Sequence, residues 1–313
     1  MTSTTPATSI ILHRSLGSPY SEKAMLALNY LGIGYHSVIA PKGVPRPVQE
    51  QLAGAYSRRI PILQIGADVI CDTDLMIRHL VHLTGRQDLL IETDEARELT
   101  DWLNRKFEPV MIRSLNKADF ILGYFRNIPF MDAIAFLRDR SKLAKKFPPA
   151  ANPPSRAEMQ EKARAGLVRL DQRLAGRAYM MGDSISAVDF TAYTMVRYHM
   201  TLNRLKLGAQ CHHLLAWYAR MQAIGFGDPQ ELQPAASLER IREDVPADLS
   251  DSLMSEPVIG MTDAFRPDDL LGSIMEPVRG KVVAGDAYRL VLRPDHPTPG
   301  PLHIHYPRRW SSL

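Results

Sequence analysis

Cysteine is almost missing from this chain: Cys71 and Cys211 are the only two among 313 residues, and they lie far apart. That excludes a disulfide scaffold and a cysteine-built zinc site, and it suits a reducing compartment, so a cytoplasmic location is expected. Long hydrophobic runs are missing too. No stretch approaches the roughly 18 apolar residues of a membrane-spanning helix. The opening MTSTTPATS, followed by IIL and HR, has neither the basic region nor the apolar core of a secretory signal. Charge of one sign is not concentrated anywhere: the net charge of +4 is spread along the chain, which argues against nucleic acid as a partner. A P-loop, a Rossmann glycine fingerprint, H-E-x-x-H and G-x-S-x-G are all absent, removing the commonest nucleotide-binding, zinc-protease and hydrolase readings. What is present, 45% hydrophobic and 23% charged residues, describes a globular protein with ample core. The length predicts two or three domains.

The pattern along the chain predicts three units: residues 1–84, 93–228 and 229–313. In the first, Ile10-Ile11-Leu12 reads as a buried strand broken by Gly17-Ser18-Pro19. A helix follows with Ala24, Ala27, Leu28 and Leu31 on one face and Gly32 at its end. Tyr35 to Ile39, Ile60 to Ile65 and Val69-Ile70 read as further strands, and Asp72 or Thr73 caps a helix running to about Leu83. The second unit reads as helical. Ser155 and Glu158 make a capping box before the stripe Ala163, Leu167, Leu170 and Leu174. In the third, eleven of the 23 prolines fall after Gly227, so long helices end there. Val278 to Val283, Ala287 to Leu292 and Leu302 to Tyr306 suggest a small antiparallel meander.

Three turns in the first unit carry candidate chemistry. Ser18 stands at a natural N-cap with Pro19 at the first helical position. The start of that helix favours an anion such as a thiolate, through its free amides and partial positive charge. Pro61 opens an apolar strand; lacking an N–H, it belongs either at a sheet edge or after a cis bond. Asp72-Thr73 opens a helix whose amides suit a carboxylate, while the Asp72 side chain suits an ammonium. Each turn also has an ordinary structural explanation, namely helix capping or strand initiation.

Taken in order, these pieces resemble the glutathione transferase superfamily. That family carries a catalytic Ser, Cys or Tyr in the first strand–helix turn, a cis-proline opening the third strand, and an acidic-hydroxyl pair opening the third helix. The matching residues here are Ser18-Pro19-Tyr20-Ser21, Ile60-Pro61 and Asp72-Thr73. Downstream, Gly182-Asp183-Ser184-Ile185-Ser186-Ala187-Val188-Asp189 is similar to the family's structural helix start, with Val188 in place of alanine. Ser186 and Asp189 read as a capping box, and Ile185 against Phe190 as a hydrophobic staple.

The resemblance implies an α/β thioredoxin-like domain followed by an all-helical domain, with residues 229–313 as a small β-containing appendage docked on them. It implies glutathione as co-substrate, no metal cofactor, and a homodimer. Ser18 would be the catalytic hydroxyl, donating to the glutathione sulfur. A serine in place of cysteine argues against thiol exchange. Lowering the thiol pKa by two units needs about 2.7 kcal/mol, within reach of a charge-assisted bond plus a helix terminus. Tyr20, Arg59, Ile60, Pro61, Asp72 and Thr73 would hold glutathione, with Arg58 or Lys42 as substitutes for Arg59. Phe107, Met111 and Phe120 are the candidate apolar wall for an electrophile. A non-catalytic binding or scaffold role, or a glutathione-dependent isomerase or dehalogenase, fits the same motifs. His303 and His305 share one strand face, but sequence supplies no third metal ligand. Cys211-His212-His213 likewise reads as an ordinary helix start.

Overall fold

The computed structural model describes residues 9–115, 129–147, 153–202, 211–249, 259–267, 272–308 and 310–312. The N-terminal part runs β1 (Ile10–Arg14), α1 (Pro19–Tyr30), β2 (His36–Ile39), α2 (Pro47–Ala53), β3 (Ile62–Ile65), β4 (Asp68–Cys71) and α3 (Thr73–Thr84). β1 pairs with β2 in parallel and with β3 antiparallel, and β3 pairs with β4 antiparallel. This is the thioredoxin-like arrangement that the βαβ–ββα order predicts. Gly32 (φ 68°) and Gly85 (φ 69°) end α1 and α3 in the left-handed region, a conformation that side chains disfavour and glycine adopts freely.

The helical part comprises α4 (Asp94–Asp101), α5 (Glu108–Ser114), α6 (Phe130–Ala144), α7 (Arg156–Arg173), α8 (Ala187–Leu202) and α9 (His212–Ile224). Between α4 and α5, Trp102–Phe107 form a π-helical turn in which the Glu108 amide reaches back five residues to the Leu103 carbonyl. Residues five apart then share a face, and the rings of Trp102 and Phe107 stack with centroids 4.7 Å apart and 11° between planes. Pro109 stands in the first turn of α5. It has no N–H to donate, so the wider turn before it forgoes no bond at that position. The Ser155–Glu158 capping box forms as the sequence predicts. At Ser186 only half of one forms. Asp189 accepts from the Ser186 amide at 2.9 Å, but the Ser186 hydroxyl donates to Asp189 at 2.8 Å instead of capping. Asp189 also accepts from the Met180 amide and Trp217 Nε1. That buried carboxylate organises the bundle, and burial pushes its pKa up despite these four donors.

The tail holds β5 (Gln230–Glu231), α10 (Pro234–Glu243), β6 (Thr262–Pro267), β7 (Val278–Gly285), β8 (Arg289–Pro294), β9 (His303–Pro307) and β10 (Trp310–Ser312). The expected antiparallel meander is there in β6–β7–β8–β9. It packs on the N-terminal part and also continues its sheet. β9 adds in parallel to the outer edge of β4, pairing Asp68 with His303 and Ile70 with His305. β5 adds to β2 at the opposite edge. Among the described residues one ten-stranded sheet results, in the order β10-β6-β7-β8-β9-β4-β3-β1-β2-β5. The physical reason is that β4 would otherwise present an unpaired edge.

Side chains follow the sheet. Leu52, Tyr56, Ile62 and Val69 of the N-terminal part share one core cluster with Leu238, Ile241, Val282, Leu290, Leu292, Ile304 and Tyr306 of the tail. A second cluster fills the space between α1, α3 and the helices, centred on Leu103, Phe107, Leu167, Phe190, Tyr193 and Trp217. A third lies between the sheet and α1 and α3.

Candidate active site

Strand register brings the three candidate turns together. Ile62 of β3 pairs with His13 of β1 on one side and with Cys71 of β4 on the other. The turn after β1, the start of β3 and the end of β4 therefore coincide at one end of the sheet. Ser18, Pro61 and Asp72 meet there although up to 54 residues separate them. The parallel strand β9 ends at the same edge.

Ser18 is the N-cap of α1, with φ −89° and ψ 117°, and its oxygen accepts from the Ser21 amide at 3.4 Å. Ser21 is buried, and its hydroxyl accepts from the Ser15 amide at 3.1 Å, bracing the turn from behind. A hydroxyl has one hydrogen and two lone pairs. Capping consumes only a lone pair, so the cap and a hydrogen-bond donor to a ligand can be the same group. Ser18 is half-buried, reachable from solvent at a helix end that favours negative charge.

The Ile60–Pro61 peptide is cis, as is Val44–Pro45. Asp72 has φ 79° and ψ 131°. It is the one non-glycine residue with positive φ among those described, a strained conformation worth about 1–3 kcal/mol and concentrated at functional sites. Asp72, not Thr73, is the N-cap of α3: its Oδ1 accepts from the Asp74 amide at 3.0 Å and the Leu75 amide at 3.4 Å. Thr73 is the first residue of that helix.

The cationic candidates separate. Arg58 is committed to Asp139 of α6, with Nη1 at 3.0 and 3.1 Å from the two carboxylate oxygens. Arg46 is buried and donates to the carbonyls of Pro41, Lys42, Ser57 and Arg58, fastening two loops together. Lys42 donates to the Leu16 carbonyl beside the Ser18 turn, and burial pulls its ammonium down to about 8. Arg59 stands by the site: its charge favours ionisation of both Tyr20 and Tyr56, although burial dominates and pushes both phenols well up.

Tyr20 is tied to the helical part. Its hydroxyl donates to Glu108, and its ring meets Tyr198 edge-on with centroids 5.9 Å apart. Lys23 is buried and paired with Asp74, which also accepts from Asn104 Nδ2 at 2.7 Å and Thr191 at 2.9 Å. Glu22 pairs with Arg197. This polar seam fixes α1 and α3 against the helices, and sequence reading missed it because its members are far apart in the chain.

Phe107 and Met111 lie inside the helical core, 2% and 0% exposed. Phe107 is sandwiched between Trp102 and the Gly166 backbone. Neither offers an open apolar surface, and Phe120 lies outside the described residues. A cleft of about 430 Å³ does open beside Asp72, bounded by Asp74, Asn104 and Thr191 and, from the tail, by Tyr288 and Arg308. Ser18 and Ile60 are not among its walls. Over it, the Arg78 guanidinium sits 3.6 Å from the Tyr288 ring, and the Tyr288 hydroxyl donates to Glu92 at 3.0 Å.

Comparison with known proteins agrees with this fold. Residues 12–87 match the model of the glutathione S-transferase N-terminal domain, and residues 131–224 match that of the C-terminal domain. No curated protein matched the sequence. Among solved structures, a GST-like protein from Pseudomonas syringae is similar with TM-score 0.71 and 23% identity, over 97% of this chain and 99% of that one. The shared fold therefore includes the C-terminal strands. A glutathione S-transferase from Xanthobacter autotrophicus is similar with TM-score 0.50 and 16% identity, over 71% of this chain and 96% of that one. A theta class glutathione S-transferase from Xanthomonas axonopodis pv. citri, solved with glutathione bound, gives TM-score 0.48 and 19% identity over 71% and 99%. No described helix is long and apolar enough to cross a membrane. The chain belongs to the glutathione S-transferase superfamily, with a thioredoxin-like N-terminal domain, a helical domain and added C-terminal strands that extend the sheet.

Proposed function

We propose that the protein binds glutathione at the sheet end shared by Ser18, Ile60 and Asp72, and activates its thiol for attack on a small electrophile. The convergence of these three turns through the His13–Ile62–Cys71 register carries the reading. In it, the glutathione cysteinyl backbone runs along Ile60 and Pro61, as the family resemblance implies. Its γ-glutamyl end meets Asp72 and the α3 amides at Thr73, and its glycyl carboxylate meets Arg59. Tyr20 contributes from the α1 turn while holding Glu108. The Ser18 hydroxyl donates to the sulfur, and the α1 terminus supplies the field that favours thiolate. A charge-assisted bond contributes about 1.5–3 kcal/mol, enough for one to two units of thiol pKa.

Calorimetry with glutathione, followed by a conjugation assay with an activated aryl halide, tests this reading. Binding with turnover is expected. Binding without turnover points to a scaffold role, and no binding overturns the reading. The same proposal has the protein act as a cytoplasmic homodimer, and size-exclusion chromatography with light scattering checks the stoichiometry.

A further inference from the structure

Helix α9 begins without a cap of its own. Cys211 occupies the N-cap position with φ −106° and ψ 41°, and its side chain makes no capping bond. The acceptor arrives from another helix. Asp171, near the end of α7, accepts from the Leu214 amide at 2.8 Å, the third residue of α9 and the donor that a local cap would serve. A carboxylate only 5% exposed is thereby placed beside two consecutive imidazoles. His212 is exposed and His213 half-buried, and their ring centroids are 3.9 Å apart at 42°. One potential ligand atom from each of Asp171, His212 and His213 lies within 4.8 Å of the others.

We propose that Asp171, His212 and His213 form a binding site for a borderline divalent transition-metal ion such as Zn²⁺. Two imidazole nitrogens and one carboxylate oxygen are a three-ligand protein set of the kind that Zn²⁺ takes, with water completing the coordination. The set is too nitrogen-rich and too small for Ca²⁺ or Mg²⁺, which prefer cages of oxygen. Tetrahedral coordination with bonds of about 2.0–2.2 Å places donor atoms on one ion about 3.3–3.6 Å apart. The three donor atoms, within 4.8 Å of one another, come to those separations through side-chain rotation of the exposed His212 and the half-buried His213. The third ligand is invisible in sequence because the fold supplies it from 41 residues upstream.

Capping alone needs an acceptor, not a charge, so an asparagine at 171 can still serve the Leu214 amide while weakening a metal site. Full-length protein titrated with Co²⁺ and then with Zn²⁺, followed by visible absorption and calorimetry, tests the proposal. One Co²⁺ per chain is expected, displaced by Zn²⁺. His212→Ala, at an exposed position, should lower affinity at least about tenfold, since even outer partners of metal sites cost about 10–100-fold. Asp171→Asn should lose comparable affinity while the metal-free melting temperature stays close to that of the parent. Absence of binding overturns the proposal, as does binding unchanged in His212→Ala. Should Asp171→Asn fail to fold, His212→Ala and His213→Ala decide alone. The outcome is independent of glutathione binding, since these residues lie on α7 and α9, apart from the Ser18 turn.

Discussion

His305 Nε2 lies 2.7 Å from Asp68 Oδ1, joining β9 of the tail to β4 of the N-terminal sheet. Arg289 Nη1 sits 3.0 Å from His305 Nδ1. A guanidinium only donates, so Nδ1 is the acceptor and Nε2 carries the hydrogen that goes to Asp68. His305 is therefore neutral: burial lowers its pKa, and a second ring hydrogen would point at Arg289. Burial raises the Asp68 carboxyl, but the bonds from His305 and the Ala247 amide outweigh it and the net direction is down. His305→Ala removes a donor from a largely buried carboxylate and should cost about 1.5–3 kcal/mol of stability. Urea denaturation checks this, and an unchanged midpoint would contradict it.

The pH dependence of folding has a definite sign. Burial lowers His13 and His79 from 6.5 to about 4, and lowers His296, His303 and His305 as well. His13 is 3.1 Å from both Gln64 and Gln49. Between pH 6.5 and about 4 the unfolded chain binds more protons than the folded one. Stability is therefore full above pH 6.5 and falls as the pH drops through that window. His13 and His79 each contribute on the order of 3 kcal/mol by its lower end. Denaturation curves at pH 7.5, 6 and 5 should shift steadily to lower denaturant, whereas a flat profile would show these histidines to be solvated.

Gly166 of α7 is a position where alanine should do harm. An added Cβ would lie 2.1 Å from Phe107 Cε2. Helix propensity favours alanine by about 1 kcal/mol, but overpacking costs about 1–3 kcal/mol, and Phe107 is pinned by Trp102. Gly166→Ala should lose up to about 2 kcal/mol, read as a drop in thermal midpoint. A gain would mean that the Phe107 ring has room to move.

Removing the tail after Gly227 should cost the N-terminal domain its fold. Although Ser18, Ile60 and Asp72 precede the cut, the tail covers Leu52, Ile62 and Val69, and Gln64 donates to the Ser237 carbonyl at 2.9 Å. Each fully buried aliphatic side chain contributes about 1.5–3 kcal/mol, and several would be uncovered together. The truncated chain should be insoluble or bind a hydrophobic dye strongly. A well-folded, soluble truncation would show that the appended strands are dispensable.

Much of this was legible in the sequence because it is local. The Ser18–Pro19 start, the Ser155 capping box and the Ile60–Pro61 and Asp72–Thr73 openings depend on neighbours within four residues. What escaped is non-local or against pattern. Nothing near Asp68 signals that it pairs with His303, since a parallel ladder between distant strands leaves only apolar runs that could join any edge. Trp102 and Phe107 stack through a π turn that helical periodicity does not encode. Phe107 and Met111 are apolar in sequence whether they line a site or fill a core, and only packing against Gly166 and α7 decides for the core. Asp171 gives no local hint that it caps another helix.

The central claim, that Ser18 activates bound glutathione, is tested most directly by the ultraviolet thiolate absorbance of glutathione on the protein as a function of pH. The parent protein should titrate the bound thiol one to two units below free glutathione. Ser18→Ala should keep most of the affinity, lose about 1 kcal/mol of stability with the cap, and return the thiol towards its free value with conjugation slowed about 10–100-fold. Titration and rates unchanged in Ser18→Ala would contradict the account and leave Ser18 a helix cap alone.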